Sequence, residues 1–291
     1  MKKLFLTSVV LLALTAQAQT KIAPKLENGF KAVYTEKATA NIPGAGKEIN
    51  FTVEEEYVVS DVTADGAVIT ATMTSLDSDV DATDMMGQMV LMSQTMMKGV
   101  SVKLSTDADG RVKHVLNIDE LKEKASAVSK ALIGEAAKNF PGVEPEAMVG
   151  QLMEALTEKS IIASFTKSGV LALNGKTIAN GAQDTLEYEG MKMKCIYFIA
   201  GKNIIANATL DMTKDEMKEA IIAQVEKVAP EQAKMVRDNI DMVMGQMKFE
   251  MTQKSTYELG ANGWMRSIKS EASQDIMGQG MKQTSVTTLK E

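Results

Sequence analysis

The sequence predicts an α+β fold, with an antiparallel β-sheet in two related halves and helices covering one of its faces. Three observations lead to this prediction. Segments rich in Thr, Val, Ile and Tyr alternate between apolar and polar residues, which is typical of half-buried strands. Methionines in another segment recur at spacings of three and four, which is the spacing of one helix face. The order of these elements is similar in the two halves of the chain, and strands grouped with covering helices are typical of the α+β class.

The first 18 residues have the pattern of a secretory signal peptide. Two lysines precede an apolar run over residues 4–14, and small residues close to Ala18 suit a signal peptidase. We expect cleavage between Ala18 and Gln19 and a periplasmic or secreted product. Because Gln19 is not a cysteine, we expect no lipid anchor at the cleavage point. Later apolar runs are too short for a membrane span, so the expected product is soluble.

Composition narrows the functional classes further. The chain has 291 residues and a formal net charge of −6, which gives it no general attraction to nucleic acid. Cys195 is the only cysteine, so we expect an exported fold without internal disulfides. The 22 methionines predict a core that relies on adaptable thioether side chains. No cofactor motif is recognisable, and we expect none to be bound.

Residues 19–117 are predicted to form the first half. Thr63–Gly66 is expected to be a hairpin turn, because Gly66 can take a positive φ. A helix is predicted over 83–98 and should end before Gly99. The strands expected in this half cover residues 31–35, 48–61, 67–76, 100–105 and 111–116.

Residues 118–166 are predicted to be a helical linker and 167–291 the second half. Asn117 is expected to cap the first linker helix, with Glu120 in the reciprocal position. Thr213–Glu216 matches a capping box that opens a helix to about Val228, and Pro230 begins another to about Gln246. The strands expected in this half cover residues 170–173, 186–200, 204–212, 248–259, 265–272 and 281–289.

Shared motifs suggest that the two halves arose by internal duplication. Met-Gly-Gln-Met occurs at 86–89 in the first half and at 244–247 in the second. Residues 68–76, before the first methionine-rich helix, resemble residues 204–212, before its counterpart. The repeat is too long for a solenoid array, so it predicts two related sheets or one large sheet built from both halves.

A methionine stripe is the candidate site for an apolar ligand. Met85, Met89, Met92 and Met96 would share one face of the helix predicted over 83–98. Such a stripe usually packs on a sheet, but flexible methionines can also line a groove for varied apolar guests. Methionine pairs at this spacing also occur in exported proteins that handle copper.

A weaker alternative is a metal site on a later strand. Met191, Met193 and Cys195 alternate along residues 186–200 and would therefore share one strand face. Three soft sulfur ligands suit Cu(I), whereas the chain cannot supply the usual Cys and His set for zinc. The competing interpretation is that these three side chains are buried in a sheet core.

The sequence gives no basis for assigning a catalytic residue. His114 is the only histidine, and no Gly-x-Ser-x-Gly motif accompanies it. Glu54–Glu56 would alternate along a strand, and the simplest expectation is a solvated sheet face in place of the converging acids of a hydrolase. Asp77–Asp84 begins like a calcium loop, but Ala82 stands where an EF-hand requires glycine.

Three short motifs carry a resemblance to a known family. They are the signal that ends before Gln19, the pattern Leu104-x5-Gly110-Arg-Val, and the hairpin Tyr257-Glu-Leu-x3-Gly263-Trp264. In these motifs the chain resembles a family of uncharacterised exported bacterial proteins whose domain has no assigned activity. The resemblance implies export and assigns no functional residue. Helices over an antiparallel sheet are also similar, in architecture alone, to lipoprotein-carrier folds.

Together these observations predict an exported, non-enzymatic envelope protein that binds an apolar ligand or lipid. The ligand would lie between the sheet and the methionine-bearing helix. Two alternatives stay open at this point. One is a structural or interaction module whose partner is another envelope protein, and the other is a periplasmic hydrolase.

Overall fold

The computed structural model describes most of the chain beyond the predicted signal. The described residues are 19–41, 48–80, 98–139, 150, 153–154, 156–188, 191–228, 230–246, 249–276 and 279–290. The predicted signal at 1–18 lies outside them. So do Met85, Met89, Met92 and Met96, with nearly all of the helix predicted over 83–98.

Antiparallel strands dominate the described residues. The first half of the chain contributes β1 (Thr20–Lys21), β2 (Lys31–Asn41), β3 (Glu48–Ser60), β4 (Gly66–Ser78), β5 (Ser101–Asp107) and β6 (Val112–Val115). The second half contributes β7 (Thr177–Ile178), β8 (Gln183–Tyr188), β9 (Met191–Ala200), β10 (Asn203–Leu210), β11 (Phe249–Leu259), β12 (Met265–Ile276) and β13 (Gln279–Leu289). The short strands β1 and β7 pair with each other, and the other eleven described strands form one sheet.

The sheet joins the beginning and the end of the chain at its centre. Its order is β6-β5-β4-β3-β2-β13-β12-β11-β10-β9-β8, with every neighbouring pair antiparallel. Strands β2 and β13 pair over eight positions, from Asn41 opposite Lys282 to Tyr34 opposite Leu289. The two halves therefore build one continuous sheet, which is the second of the two arrangements that the sequence allowed.

The strand order agrees with the order that a duplication requires. In each half a three-strand meander, β2-β3-β4 or β8-β9-β10, is followed by an interruption and then by further meandering strands. The interruption in the second half is helical, and that in the first half lies mostly outside the described residues. The duplication itself stays a prediction, which superposition of the two halves tests.

Four helices lie within the described residues. They are α1 (Ile118–Asn139), α2 (Glu158–Thr166), α3 (Lys214–Val228) and α4 (Pro230–Gln246). The predicted capping box of α3 is confirmed, because the Glu216 amide donates to Thr213 Oγ1 at 3.2 Å and the Thr213 amide donates to Glu216 Oε2 at 2.8 Å. None of the helices in the described part of the chain has the length and apolar character needed to cross a membrane.

The helices contact different parts of the molecule. Helix α2 lies against β6, whereas α3 and α4 pack on each other. Ile222, Ile240 and Met244 form the buried centre of an apolar cluster in the α3–α4 pair that is separate from the core of the sheet. The prediction that helices cover one sheet face as a group therefore stays a prediction.

The main core lies on one face of the sheet. Tyr34, Tyr57, Ile69 and Leu104 are almost fully buried there, at inward positions of β2 to β5. Because strand side chains alternate between faces, charged residues occupy the positions between them, and the opposite face is mostly polar. The sequence pattern therefore fixes which face of the sheet is covered.

Three expectations about local structure were wrong in whole or in part. Residues 170–173 form a turn and not a strand, because all four side chains are buried in the core against the sheet. Residues 186–200 were expected to be one strand, but β8 and β9 pair as a hairpin. The expectation for Asn117 was wrong in part: its side chain accepts from the Lys103 amide at 2.9 Å and donates to the Ser101 carbonyl at 2.8 Å, both on β5, but it also makes the expected contact with Glu120, donating to Oε2 at 3.3 Å.

Two glycines are required by close backbone approach. Gly66 begins β4 with a φ of 153°, and a Cβ there would lie 1.8 Å from the Thr106 carbonyl oxygen. Gly263 has a φ of 78°, and a Cβ there would lie 2.6 Å from the Ala23 carbonyl oxygen. Both positions lie in turns that the sequence predicted, and only glycine fits them without displacement of the neighbouring chain.

Candidate functional site: a cavity on the covered face of the sheet

A cavity of about 690 Å³ opens between the sheet and helix α2. Strands from both halves of the chain line it, together with α2 and the segment that follows α2. Its volume lies within the range of typical ligand pockets, roughly 300–1,000 Å³. The cavity is therefore large enough for a small organic ligand or part of a lipid.

Small side chains on the central strands make room for the cavity. Ser270 and Ala272 occupy successive inward positions of β12, and Ser285 lies opposite Ser270 on β13. Charged residues such as Lys269 and Glu271 occupy the outward positions between them. Because these inward side chains are short, the centre of the sheet cannot fill the space below α2.

Much of the remaining wall is apolar and adaptable. Four methionines and several aliphatic or aromatic side chains face the cavity from seven strands, the segment before β5 and the region of α2. These residues are Met73, Val100, Val102, Leu156, Ile161, Phe165, Leu186, Met193, Met251, Ile268 and Met281. Unbranched thioether side chains can adjust to guests of different shape. The described wall thus has methionines from strands, whereas Met85, Met89, Met92 and Met96 lie outside the described residues.

Helix α2 is fixed over the sheet by its own N-terminus. Thr157 and Ser160 form a reciprocal capping box at the helix start. Glu158 Oε1 accepts a hydrogen bond from the Val115 amide at 3.0 Å, which attaches the helix to the edge strand β6. The packing of Ile161 and Phe165 against the core then places the helix beside the cavity.

Acidic and aromatic residues occupy the wall that β2 and β3 form. The Tyr57 hydroxyl donates to Glu55 Oε2 at 2.7 Å, and the Tyr34 and Tyr57 rings meet edge to face at 5.6 Å. Burial raises the pKa of Glu55, the hydrogen bond from Tyr57 opposes that rise, and the nearby charge of Glu36 adds to it. Glu36 and Glu55 both line the cavity.

The position of Glu55 corrects one expectation. Of Glu54–Glu56, the middle residue does face away from its neighbours, as strand alternation predicts. However, it faces the cavity and not a solvated sheet surface. Its sequence signal was an acidic residue in phase with buried Tyr57 and Val59.

Met193 and Cys195 lie on the covered face of β9. Met193 lines the cavity, and Cys195 lies deeper, beside Tyr197 and Tyr257 in a small adjoining space. Burial raises the pKa of the Cys195 thiol, which favours the neutral form over the metal-binding thiolate. These contacts favour core burial, and copper binding with Met191 stays an untested alternative.

Lys176 forms the polar boundary of that small space. Its Nζ lies 2.8 Å from Asp184 Oδ2 and 3.3 Å from the Tyr197 hydroxyl. The described residues contain no cluster of three His, Cys, Asp or Glu side chains placed for a metal ion. Lys176 and Asp184 therefore form an ion pair at the boundary of the space beside Cys195.

His114 lies away from the cavity. It is exposed on the edge strand β6, and its Nδ1 lies 3.3 Å from Glu158 Oε1. It is not among the described residues that line the cavity. The Ser-His form of the hydrolase alternative would therefore have to use an imidazole on the outer edge of the sheet.

No protein-family model matches the chain, and no curated protein matches it. The solved structures that the chain matches include lipovitellin, from a study of lipid–protein interactions, at 12% identity and a TM-score of 0.38. That match covers 92% of this chain, which spans only 26% of the lipovitellin chain. The family resemblance noted in the sequence is therefore not supported by a family match.

Two further structures match over nearly their full length. Rv2717c from M. tuberculosis has 8% identity and a TM-score of 0.26, with 97% of each chain covered. A protein from Bacteroides fragilis, named as an exported protein with a YmcC-like fold, has 8% identity and a TM-score of 0.25. That match covers 94% of this chain and all of the other.

Proposed function

We propose that this protein binds an apolar ligand or the apolar part of a lipid in the cavity between the sheet and α2. The observation that carries the proposal is the cavity itself, with a volume of about 690 Å³ and a wall rich in methionine and aliphatic side chains. Ligand pockets usually combine a mostly apolar lining with a few polar groups. Serine, glutamine and glutamate side chains supply the polar groups here.

The mixed lining narrows the ligand to an amphiphile. An apolar chain can contact Met193, Met251 and Phe165, while a polar head can bond to the hydroxyl and amide groups of the central strands. A purely hydrocarbon guest would leave those polar groups without partners, which costs free energy. We therefore expect a ligand with one apolar tail and one polar head, and an exported carrier or sensor of such a molecule.

A binding titration tests the proposal. The full chain, freed of bound lipid, is titrated with the neutral fluorescent probe N-phenyl-1-naphthylamine, and dodecyl amphiphiles are then used to displace it. Ser285→Phe should weaken probe binding at least tenfold, because the added ring occupies the cavity at the centre of the sheet. Thr284→Phe is the matched control, since Thr284 is exposed on the other face of the same strand.

Two results would contradict the proposal. One is a wild-type protein that neither brightens the probe nor retains any lipid in native mass spectrometry. The other is equal loss of binding in Ser285→Phe and Thr284→Phe, which would place the probe outside the cavity. Circular dichroism of both variants checks that the fold is retained.

A further inference from the structure

We infer that the cavity selects an amphiphile with a cationic, ammonium-type head, held by Glu36, Glu55 and Thr287. The inference rests on the proposed function and names the ligand class for the same site. These three residues lie on the adjacent strands β2, β3 and β13. Each of them lines the cavity.

The strand register brings the three side chains together. Thr287 lies directly opposite Glu36 across the β13–β2 pair. Glu36 lies opposite Val53, two residues from Glu55 on β3, so the two glutamates are diagonal neighbours on one face. Side chains in that relation are within mutual reach when they are as long as glutamate.

The acidic wall lacks a cationic partner within the described residues. Neither Glu36 nor Glu55 forms an ion pair there, although Glu54 pairs with Lys290 and Glu56 with Lys31 on the opposite face. Lys167 is the one lysine in the described wall. It also lines the small space beside Cys195 on β9, which is six strands across the sheet from β3.

The side chain of Thr287 adds an indication of a ligand that is independent of the two carboxylates. Thr287 is only 9% exposed, and among the described residues no hydrogen bond engages its side chain, although its backbone is paired in the sheet. The Thr287 hydroxyl oxygen is not one of the described side-chain atoms that are buried without a partner, so it is accessible from the cavity and can bond to a group that enters it. The hydroxyl oxygen of Thr287 can accept a hydrogen bond from an N–H donor, as the carboxylate oxygens can.

An ammonium group matches this arrangement. A primary ammonium carries three N–H donors and no acceptor, and the site offers oxygen atoms on three side chains. Hydrogen bonds between charged groups are roughly twice as strong as neutral ones, especially where water is largely excluded. The hydrogen bond from the Tyr57 hydroxyl holds Glu55 in place, and the Tyr57 ring itself packs on Tyr34, so the site is organised before the ligand arrives.

Three dodecyl compounds that differ only in their heads test the inference. Dodecylammonium, dodecanol and dodecanoate displace the naphthylamine probe at pH 7, each below its micelle concentration. We expect dodecylammonium to bind at least tenfold more tightly than either of the others. Glu36→Gln and Glu55→Gln should each reduce that preference at least fivefold while the affinity for dodecanol changes little.

A matched control separates local contact from general charge. Glu56→Gln removes the same charge from the next residue of β3, which faces outward and pairs with Lys31. It should leave the preference unchanged. Glu55→Gln keeps an oxygen that can accept the Tyr57 hydrogen bond, and melting curves of both variants verify the fold.

The outcomes distinguish this inference from the proposed function. Displacement by all three compounds with equal or better binding of dodecanoate overturns the cationic head and leaves the apolar site intact. An unchanged preference in Glu36→Gln and Glu55→Gln also overturns it. Failure of all three compounds to bind overturns both proposals.

Discussion

Glu55 shows how a single inward position can give a sheet face a chemical character. Its neighbours in the same phase of β3, Tyr57 and Val59, are buried in the core. A carboxylate in that row loses hydration, and its one described hydrogen bond comes from Tyr57. The cost of ionising a buried acid is what raises its pKa, and a bound cation would reduce that cost.

The stability of the ligand-free protein should therefore depend on the charge of Glu55. Because the folded-state pKa is raised, the native state keeps the proton longer than the unfolded chain. Stability then falls as pH rises from the ordinary glutamate pKa, about 4.3, through the raised folded value. Glu55→Gln removes this loss, so the variant should gain melting temperature relative to wild type at pH 8 and not at pH 4.

Glu56→Gln provides the comparison for that measurement. Glu56 is paired with Lys31 on the outer face, and its replacement should produce no gain that grows with pH. Thermal melts by circular dichroism at pH 4, 6 and 8 give both differences. A Glu55→Gln gain that is the same at all three values would contradict ionisation of a buried carboxyl.

At the scale of elements, strongly patterned segments were predictable. The helices that begin at Lys214 and Pro230 are confirmed to within about a residue, because a capping box and an N-terminal proline act locally. The long strands of the described sheet also follow from alternation, since one face is covered. Local signals of this kind do not depend on distant parts of the chain.

Segments whose structure depends on tertiary contacts were not predictable in the same way. Residues 170–173 have strand composition but lie under the sheet as a buried turn, because their apolar side chains fill the core there. Asn117 has the chemistry of a helix cap, but its side chain forms hydrogen bonds with the backbone of β5. In each case the local composition fits either structure, and contacts with residues distant in the sequence decide which one forms.

The candidate site was predictable only in part. The sequence predicted a methionine-lined apolar site on the helix over 83–98, which lies outside the described residues, and the described cavity wall has Met73, Met193, Met251 and Met281 from strands. These four methionines line one cavity because of the order of the strands in the sheet, which combines both halves. No local sequence pattern encodes that order. The small residues at alternate positions of β12 were the available signal, since they leave space where a packed core would have larger side chains.

The turn between β3 and β4 offers a direct test of element-level sterics. Gly66→Ala should destabilise the protein by at least about 3 kcal/mol, because the new Cβ collides with the Thr106 backbone as well as requiring an unfavourable φ. Gly201→Ala is the control, with a φ of 63° and open space around the added carbon. It should cost only about 1 kcal/mol.

Urea unfolding measures both values. Gly201→Ala measures only the cost of placing alanine at a positive φ. The additional cost of Gly66→Ala therefore reports the collision of the new Cβ with Thr106, and so how closely β4 approaches β5. Equal costs for the two substitutions would show that the β4–β5 pair can separate without penalty.

At the scale of the whole molecule, the sheet depends on its central strand. β13 has hydrogen-bonded neighbours on both sides, β12 from the same half and β2 from the other half. β8 is at an edge, and its Thr185 amide donates to the Asp184 side chain. Interruption of backbone pairing should therefore have very different effects at the two places.

Proline substitution makes this difference measurable. Val286→Pro should cost at least about 3 kcal/mol, because it removes an amide donor from a strand that is paired on both sides. Val286 is 40% exposed, so little of that cost comes from lost side-chain burial. Thr185→Pro on the edge strand should cost much less, and a comparable loss for both would argue against β13 as the strand that joins the halves.

The pairing of β2 with β13 also has a consequence for the order in which the chain can fold during synthesis. β2 is synthesised long before its partner β13, because all the other strands of the described sheet lie between them in the chain. Until then β2 keeps one unpaired edge, and such edges favour aggregation. The two halves of the sheet can therefore join only after β13 has been made.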